Sequence, residues 1–266
     1  MVQRLQLEWM KMKNYRAFWI LMSLYLVSIA GVNYITFRAF QEALASQQAK
    51  NMAQMVMGHL PYSFPMVWQM TAFVSSFMLF IPGLVVIMSV TNEYSYKTHR
   101  QNIIDGWTRR DFIVSKMLLA IALSVLSTIT VTITAAAFGF AEGSEAFSLE
   151  KFVFVGYFFL QALSYIMVAL LIAVLVKRGG LAIGIYFMYT VVIENVIKSI
   201  MNYYLNNAGR FMPLQSTDEL IPTPVLENLK IPMLPAPDYT TLTIVALIYL
   251  AAYFVLTAYK FEKDDL

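Results

Sequence analysis

EYSYKTHRQNIIDGWTRRDFIVSK, residues 93–116, interrupts an otherwise apolar chain with five basic side chains, Lys97, Arg100, Arg109, Arg110 and Lys116. Each would be costly inside hydrocarbon, so the stretch is read as lying in water or against a protein partner while the flanking sequence crosses a membrane. The composition points the same way. Apolar residues make up 59% of 266, charged residues 13%, and the mean hydropathy is +0.62, whereas a soluble domain has about 45–50% apolar and about 25% charged residues. Working outward, six windows each supply the roughly 20 apolar residues that cross a hydrocarbon core about 30 Å thick: 17–37, 66–90, 117–140, 152–176, 180–198 and 240–259. The expectation is an all-α polytopic membrane protein with six transmembrane helices, one transmembrane domain over 1–266, and no region left over for a soluble domain.

The lysines and arginines set the orientation. With the N-terminus inside, 13 of the 19 fall in the inside segments, which obeys the positive-inside rule and makes both termini, residues 93–116 and Lys177-Arg178 cytoplasmic. The net charge of +3 hides this sidedness. It does not argue for nucleic acid, because the basic groups are dispersed along one face. The first apolar window is too long for a signal peptide and lacks a small-x-small cleavage site, so it reads as a retained anchor. Zero cysteines exclude disulfides, iron–sulfur clusters and thiolate chemistry.

Ahead of that anchor, residues 1–16 read as an amphipathic interface helix. Val2, Leu5, Trp9 and Met12 form an apolar stripe, while Gln3, Arg4, Gln6, Lys11, Lys13 and Asn14 face away. It is either a lipid-surface anchor or a surface that also touches a cytoplasmic subunit.

The opening stretch itself resolves into two helical pieces. A short helix starting near Thr98 ends at Asp105, with Gly106 available for the left-handed position after a helix. Thr108-Arg109-Arg110-Asp111 then fits a capping box that starts the helix of the third span. An ordinary basic loop is the plainer alternative.

The run from Glu93 through Thr98-His99-Arg100-Gln101-Asn102, then Asp105-Gly106, Arg109-Arg110 and Lys116, resembles the segment between the second and third spans of ABC-2-type transporter permeases in a bacterial form. In that family a glutamate ends the second span, a short coupling helix follows, and a basic pair and a lysine lead into the third. The resemblance implies that Lys97, Thr98, Arg100, Asn102, Ile103, Ile104, Asp105, Gly106 and Trp107 couple to a separate ATPase subunit. It extends over the chain in layout, with a tight connection between spans four and five and a longer external segment before span six. It further implies an exporter of the bacterial cytoplasmic (inner) membrane, built from two permease halves, homodimer ahead of heterodimer, on an ATPase dimer. The chain has no G-x-x-x-x-G-K-[ST] loop. No cofactor is therefore expected in it, and ATP and Mg would be bound by the partner ATPase.

Polar residues within the spans are the pathway candidates. Ser124, Thr128 and Thr132 lie on one line of span three, where each either contacts substrate or bonds a carbonyl one turn back. Gly180 and Gly184 form a G-x-x-x-G pattern suited to close helix packing, and Pro82-Gly83 should kink span two. Glu194 is the one acid read as deep; Lys198, four residues on, makes a structural ion pair the alternative to proton or substrate handling. The external segment 199–238 holds Pro213, Pro222, Pro224, Pro232, Pro235 and Pro237, which forbid one continuous helix. In the resembled family such a segment carries half-helices that dip back towards the membrane and form an outer gate; a packed cap is the alternative.

Enzyme readings are weak. His59 and His99 belong to no H-E-x-x-H pattern, and Gly143-Ser144-Glu145 does not complete G-x-S-x-G. The rival class is an ATP-independent secondary transporter or channel, which predicts inverted repeats and several buried charges. The chain shows no clear repeat. Lipid and an unidentified transported substrate complete the expected partners.

Overall fold

The computed structural model describes residues 2–96, 98, 108–224 and 238–263, and every regular element among them is helical. Helix α1 (Val2–Lys13) turns at Asn14-Tyr15 into α2 (Arg16–Ala43), and α3 (Gln47–Met57) follows with Ser46 as its N-cap. Next come α4 (Met66–Ser76), α5 (Phe80–Ser95), α6 (Arg109–Glu142) and α7 (Val153–Val176). The fifth span runs from α8 (Gly179–Phe187) through a π-helical stretch, Met188–Ile193, into α9 (Glu194–Tyr204). A 3-10 turn (Ala208–Phe211) and the short α10 (Gln215–Asp218) lead towards α11 (Tyr239–Lys263).

Five helices are long and apolar enough to cross a membrane, and α4 with α5, bent by 47°, brings the count to six when taken as one span. The break covers residues 77–79, ahead of Pro82. That is the turn in which the proline ring would meet the carbonyl at Met78 and in which its missing N–H leaves the ladder open. Gly83 sits where Tyr186 of α8 presses on α5, and any Cβ there would collide with the phenol ring.

Helix α7 is the centre of the bundle. Its most apolar window is 67% buried, against 28%, 22% and 28% for α2, the fifth span and α11, and it packs on α5, α6 and α11. The outer helices turn their apolar faces outward, as lipid permits. At 34 residues, α6 is about 51 Å long, well beyond a hydrocarbon core of about 30 Å, so it is longer than a span requires. Gly143 ends it in the left-handed conformation with φ 66. The connection between α7 and α8 is Lys177-Arg178 alone, with Lys177 also left-handed.

Gly180 and Gly184 of the G-x-x-x-G pattern have nothing within 4 Å of an added Cβ, so this pair makes no close helix contact among the described residues.

Candidate functional site

One end of the bundle, called the base here, gathers α1, the end of α5, the start of α6, Lys177 and the end of α11. Thr108 caps α6 as its sequence demands: its hydroxyl accepts the Asp111 backbone N–H at 3.1 Å, and the Asp111 carboxylate accepts the Thr108 N–H at 3.1 Å. One turn further on, the ring of Phe112 stacks on Phe261 of α11 at 4.6 Å, and Arg110 donates to Glu262 at 2.6 Å. Lys177 lies over the Tyr94 ring at 5.3 Å.

At the centre of the base is Lys116, which is wholly buried. Its ammonium donates to Glu8 of α1 at 2.7 Å, to Ser89 of α5 at 3.0 Å, and to Glu93 at the end of α5. Ser115 donates to the other oxygen of Glu8 at 2.9 Å, and Lys11 reaches Glu93 at 3.2 Å. This corrects the placement of Lys116 in water. A buried ammonium is tolerable when two carboxylates neutralise it and a hydroxyl takes its remaining proton. Burial alone would raise the Glu8 carboxyl, but the charge and hydrogen bond of Lys116, with Lys11 and Ser115, hold it below its ordinary 4.5.

Helix α1 is therefore more than a lipid anchor, since it is pinned into the base through Glu8. That residue went unread in the sequence although it sits in register with the stripe: Leu5, Glu8 and Met12 follow a spacing of three and four, and an acid on an apolar face was the available signal. Trp9 remains half-exposed beside Phe18 and Trp19, with ring centroids 5.9 and 6.0 Å away. Such an aromatic cluster suits a membrane interface.

Of the nine coupling candidates, Thr98 is exposed. Lys97, Arg100, Asn102, Ile103, Ile104, Asp105, Gly106 and Trp107 lie outside the described residues, as does the expected turn at Gly106. The segment's two anchor points, Glu93 and the Thr108 cap, are both described and both fixed.

The line in α6 shows the plain alternative. Ser124, Thr128 and Thr132 donate to Ala120, Ser124 and Thr128 carbonyls at 2.9, 2.8 and 2.8 Å. Ser127, Thr130 and Thr134 repeat the pattern. Ser124 is buried, while Thr128 and Thr132 are half-buried.

At the opposite end the described part of the proline-rich segment, up to residue 224, folds back into the bundle. Leu214, Gln215, Ser216, Thr217, Leu220 and Ile221 are all buried. Glu194 is fully buried and does not pair with Lys198: one of its oxygens accepts the backbone N–H groups of Leu214 and Gln215, the latter at 3.1 Å. Lys198 turns instead to Glu219 at 2.7 Å and to Gln215 Oε1 at 2.7 Å. The reason is competition, since a helix-spaced pair gains little while the unbonded amides of a buried turn need an acceptor.

Glu194 is also not the single deep acid. Besides Glu8 and Glu93, which are buried, Asp218 is half-buried at the end of α10, where Gln161 donates to it at 2.8 Å and Tyr165 at 3.2 Å. Gln161 lies two turns into α7, about 12 Å along its axis, which measures how far the segment dips. Burial foremost, with the nearby Glu194 charge, pushes Asp218 up to about 7, against the lowering by Gln161, Lys198 and Tyr165. No periodic signal marked Asp218, because it lies in a short turn between prolines.

A family model described as ABC-2 family transporter protein matches residues 4–193. No curated protein matches the chain. The match takes in α1, both anchors of the 93–116 stretch and the bundle centre, and ends just before Glu194. With a match over more than half its length, the chain belongs to the ABC-2 family of transporter proteins, as a multi-pass membrane component of an ABC transporter and not its catalytic subunit.

Proposed function

We propose that this chain is the permease subunit of an ATP-powered exporter in a bacterial cytoplasmic membrane, that two such halves form the translocation pathway, and that residues 97–107 dock on a separate ATPase dimer. The observation that carries this reading is the anchoring of both ends of that segment. Glu93 and Lys116 tie the end of α5 to the start of α6 through buried charge, and the Thr108 box fixes the entry angle of α6. A segment held this stiffly at both ends can pass on a push, whereas a loose basic loop would absorb it.

Its composition fits docking. Ile103, Ile104 and Trp107 beside Arg100 and Asp105 supply an apolar anchor with a charged rim, and removing an aromatic anchor from such a contact costs about 2 kcal/mol or more. ATP and Mg belong to the partner. Thr128 and Thr132, half-buried on α6, and Ser124 below them are the pathway candidates, and Glu194 holds the outer gate through its two backbone amides.

The test is co-expression with the cognate ATPase subunit. Asp105→Arg and Ile104→Glu should insert normally yet retain about tenfold less ATPase on purification, the fold-change of a lost contact worth about 1.4 kcal/mol. Full retention by both variants would leave an ordinary positive loop and overturn the docking.

A further inference from the structure

The buried turn at Gln215–Asp218 holds a carboxyl that the transport reading does not use. Asp218 is met by neutral groups: Gln161 Nε2 donates to Oδ1 at 2.8 Å, and the Tyr165 hydroxyl lies 3.2 Å from each oxygen. Among the described residues no basic side chain is within ion-pair distance of it, because Lys198 is engaged by Glu219 and Gln215. The other titratable or charged groups near this turn, on the described elements packed around it, include Glu194 of α9, Tyr186 and Tyr189 of the fifth span, Arg210 of the 3-10 turn, and Tyr249 and Tyr253 of α11.

One hydrogen-bond vacancy lies directly beside Asp218. Gln161 Oε1 is buried with no donor in reach among the described residues, although its own amide nitrogen is already bonded to Asp218. A buried acceptor without a donor is costly, and a carboxamide facing a carboxyl offers one direct remedy. A proton on Asp218 Oδ2 can donate to Gln161 Oε1 while Gln161 Nε2 continues to donate to Oδ1. The pair then closes a ring of two hydrogen bonds in which every atom is satisfied.

We propose that Asp218 is a proton-binding site, whose neutral form latches the 213–221 turn onto α7 through Gln161 and whose ionised form releases it. The balance is simple: one proton passes from water to Oδ2, the half-buried charge disappears, and one hydrogen bond is gained. Loss of that proton leaves a carboxylate with no ion-pair partner among the described residues, near Glu194, and drives the turn towards water. The upward shift of Asp218 to about 7 puts this exchange within reach of ordinary pH. Leu214, whose N–H is bonded to Glu194, is in the same turn, so release of Asp218 also loosens the Glu194 contact.

The experiment uses the full chain in lipid nanodiscs, where neither the partner ATPase nor the orientation matters, so its failure is separate from any failure of the docking above. Ser216 is 0% exposed and Tyr203 is 82% exposed. In this cysteine-free chain, the rate of labelling of Ser216→Cys by an uncharged maleimide, divided at each pH by that of Tyr203→Cys, reports opening of the turn. The ratio should be low in acid and rise about tenfold through a midpoint of about 7. Asp218→Asn, which keeps a donor for Gln161 Oε1 and carries no charge, should stay low at every pH. Glu194→Gln should keep the step but move its midpoint lower, because a repelling charge has gone. Thr217→Cys, at another fully buried position of the turn, repeats the measurement should Ser216→Cys fold poorly. A flat ratio in the wild-type background would overturn the proposal, and so would a step that survives Asp218→Asn.

Discussion

The two ends of this bundle treat buried charge in opposite ways. At the base, Lys116 is enclosed by Glu8 and Glu93, and Lys11 adds a second cation to Glu93. At the far end, Glu194 is held by backbone amides and Asp218 by an amide and a phenol, with no ion pair to either among the described residues. A paired buried charge fixes geometry, because breaking it strands an ion, while an unpaired one invites a proton. The base is thus the stiff end and the far end the responsive one. Their pH responses should differ in sign. The depressed Glu8 carboxyl contributes stability that is present above about 4.5 and lost as pH falls through its folded value. The raised Asp218 carboxyl does the reverse, weakening its surroundings as pH climbs from 3.8 towards about 7.

The sharpest break in the comparison is sidedness, an all-or-none effect. If the base is cytoplasmic, cysteines at Thr108 and Tyr203, both exposed, should label from opposite sides in intact cells. Labelling of both by an impermeant external reagent would reverse or dissolve the topology. Next in size is Lys116→Met, which strands two buried carboxylates and should destabilise the fold by about 3–5 kcal/mol. Thermal denaturation in detergent would read this, and adding Glu8→Gln and Glu93→Gln to Lys116→Met should recover most of it, because the stranded charges are then gone.

At the far end, raising pH from 5 to 8 should cost the local turn up to about 3 kcal/mol, since the folded state keeps a proton on Asp218 up to about 7 and the unfolded chain does not. Amide exchange at Leu214–Leu220 would show faster opening at the higher pH, and Asp218→Asn would flatten it. Smallest is Thr108→Ala. Loss of the cap should cost about 1 kcal/mol and fray the first turn of α6, seen as faster exchange at Asp111 and Phe112.

Much of this architecture was legible in the sequence. Five of the six apolar windows fall in helices long and apolar enough to cross a membrane, and the remaining one, 66–90, falls in the bent pair α4 and α5; most of these helices run past their windows, because hydropathy marks the hydrocarbon core while helices continue beyond it. The capping box at Thr108 was readable because its geometry is local. The same holds for the break near Pro82 and the two-residue joint at Lys177-Arg178. What escaped was long-range pairing: Glu8 reaches Lys116 across 108 positions and Gln161 reaches Asp218 across 57. No local pattern announces such contacts. Lys198 illustrates the converse, since its spacing to Glu194 suited an ion pair and a residue 21 positions further on won it. The placement of Lys116 in water failed for the same reason, as the cost of burial depends on partners the local sequence does not show.

In the proposed transporter, ATP consumed by a separate subunit at the base moves the opposite end of the bundle. The direct measurement is the labelling rate of Ser216→Cys in the complex with its ATPase, at fixed pH, with and without ATP and Mg. The account predicts a rate that changes with ATP in the complex, no change for the permease chain alone, and loss of the response in Ile104→Glu. A rate in the intact complex that is the same with and without ATP would contradict it.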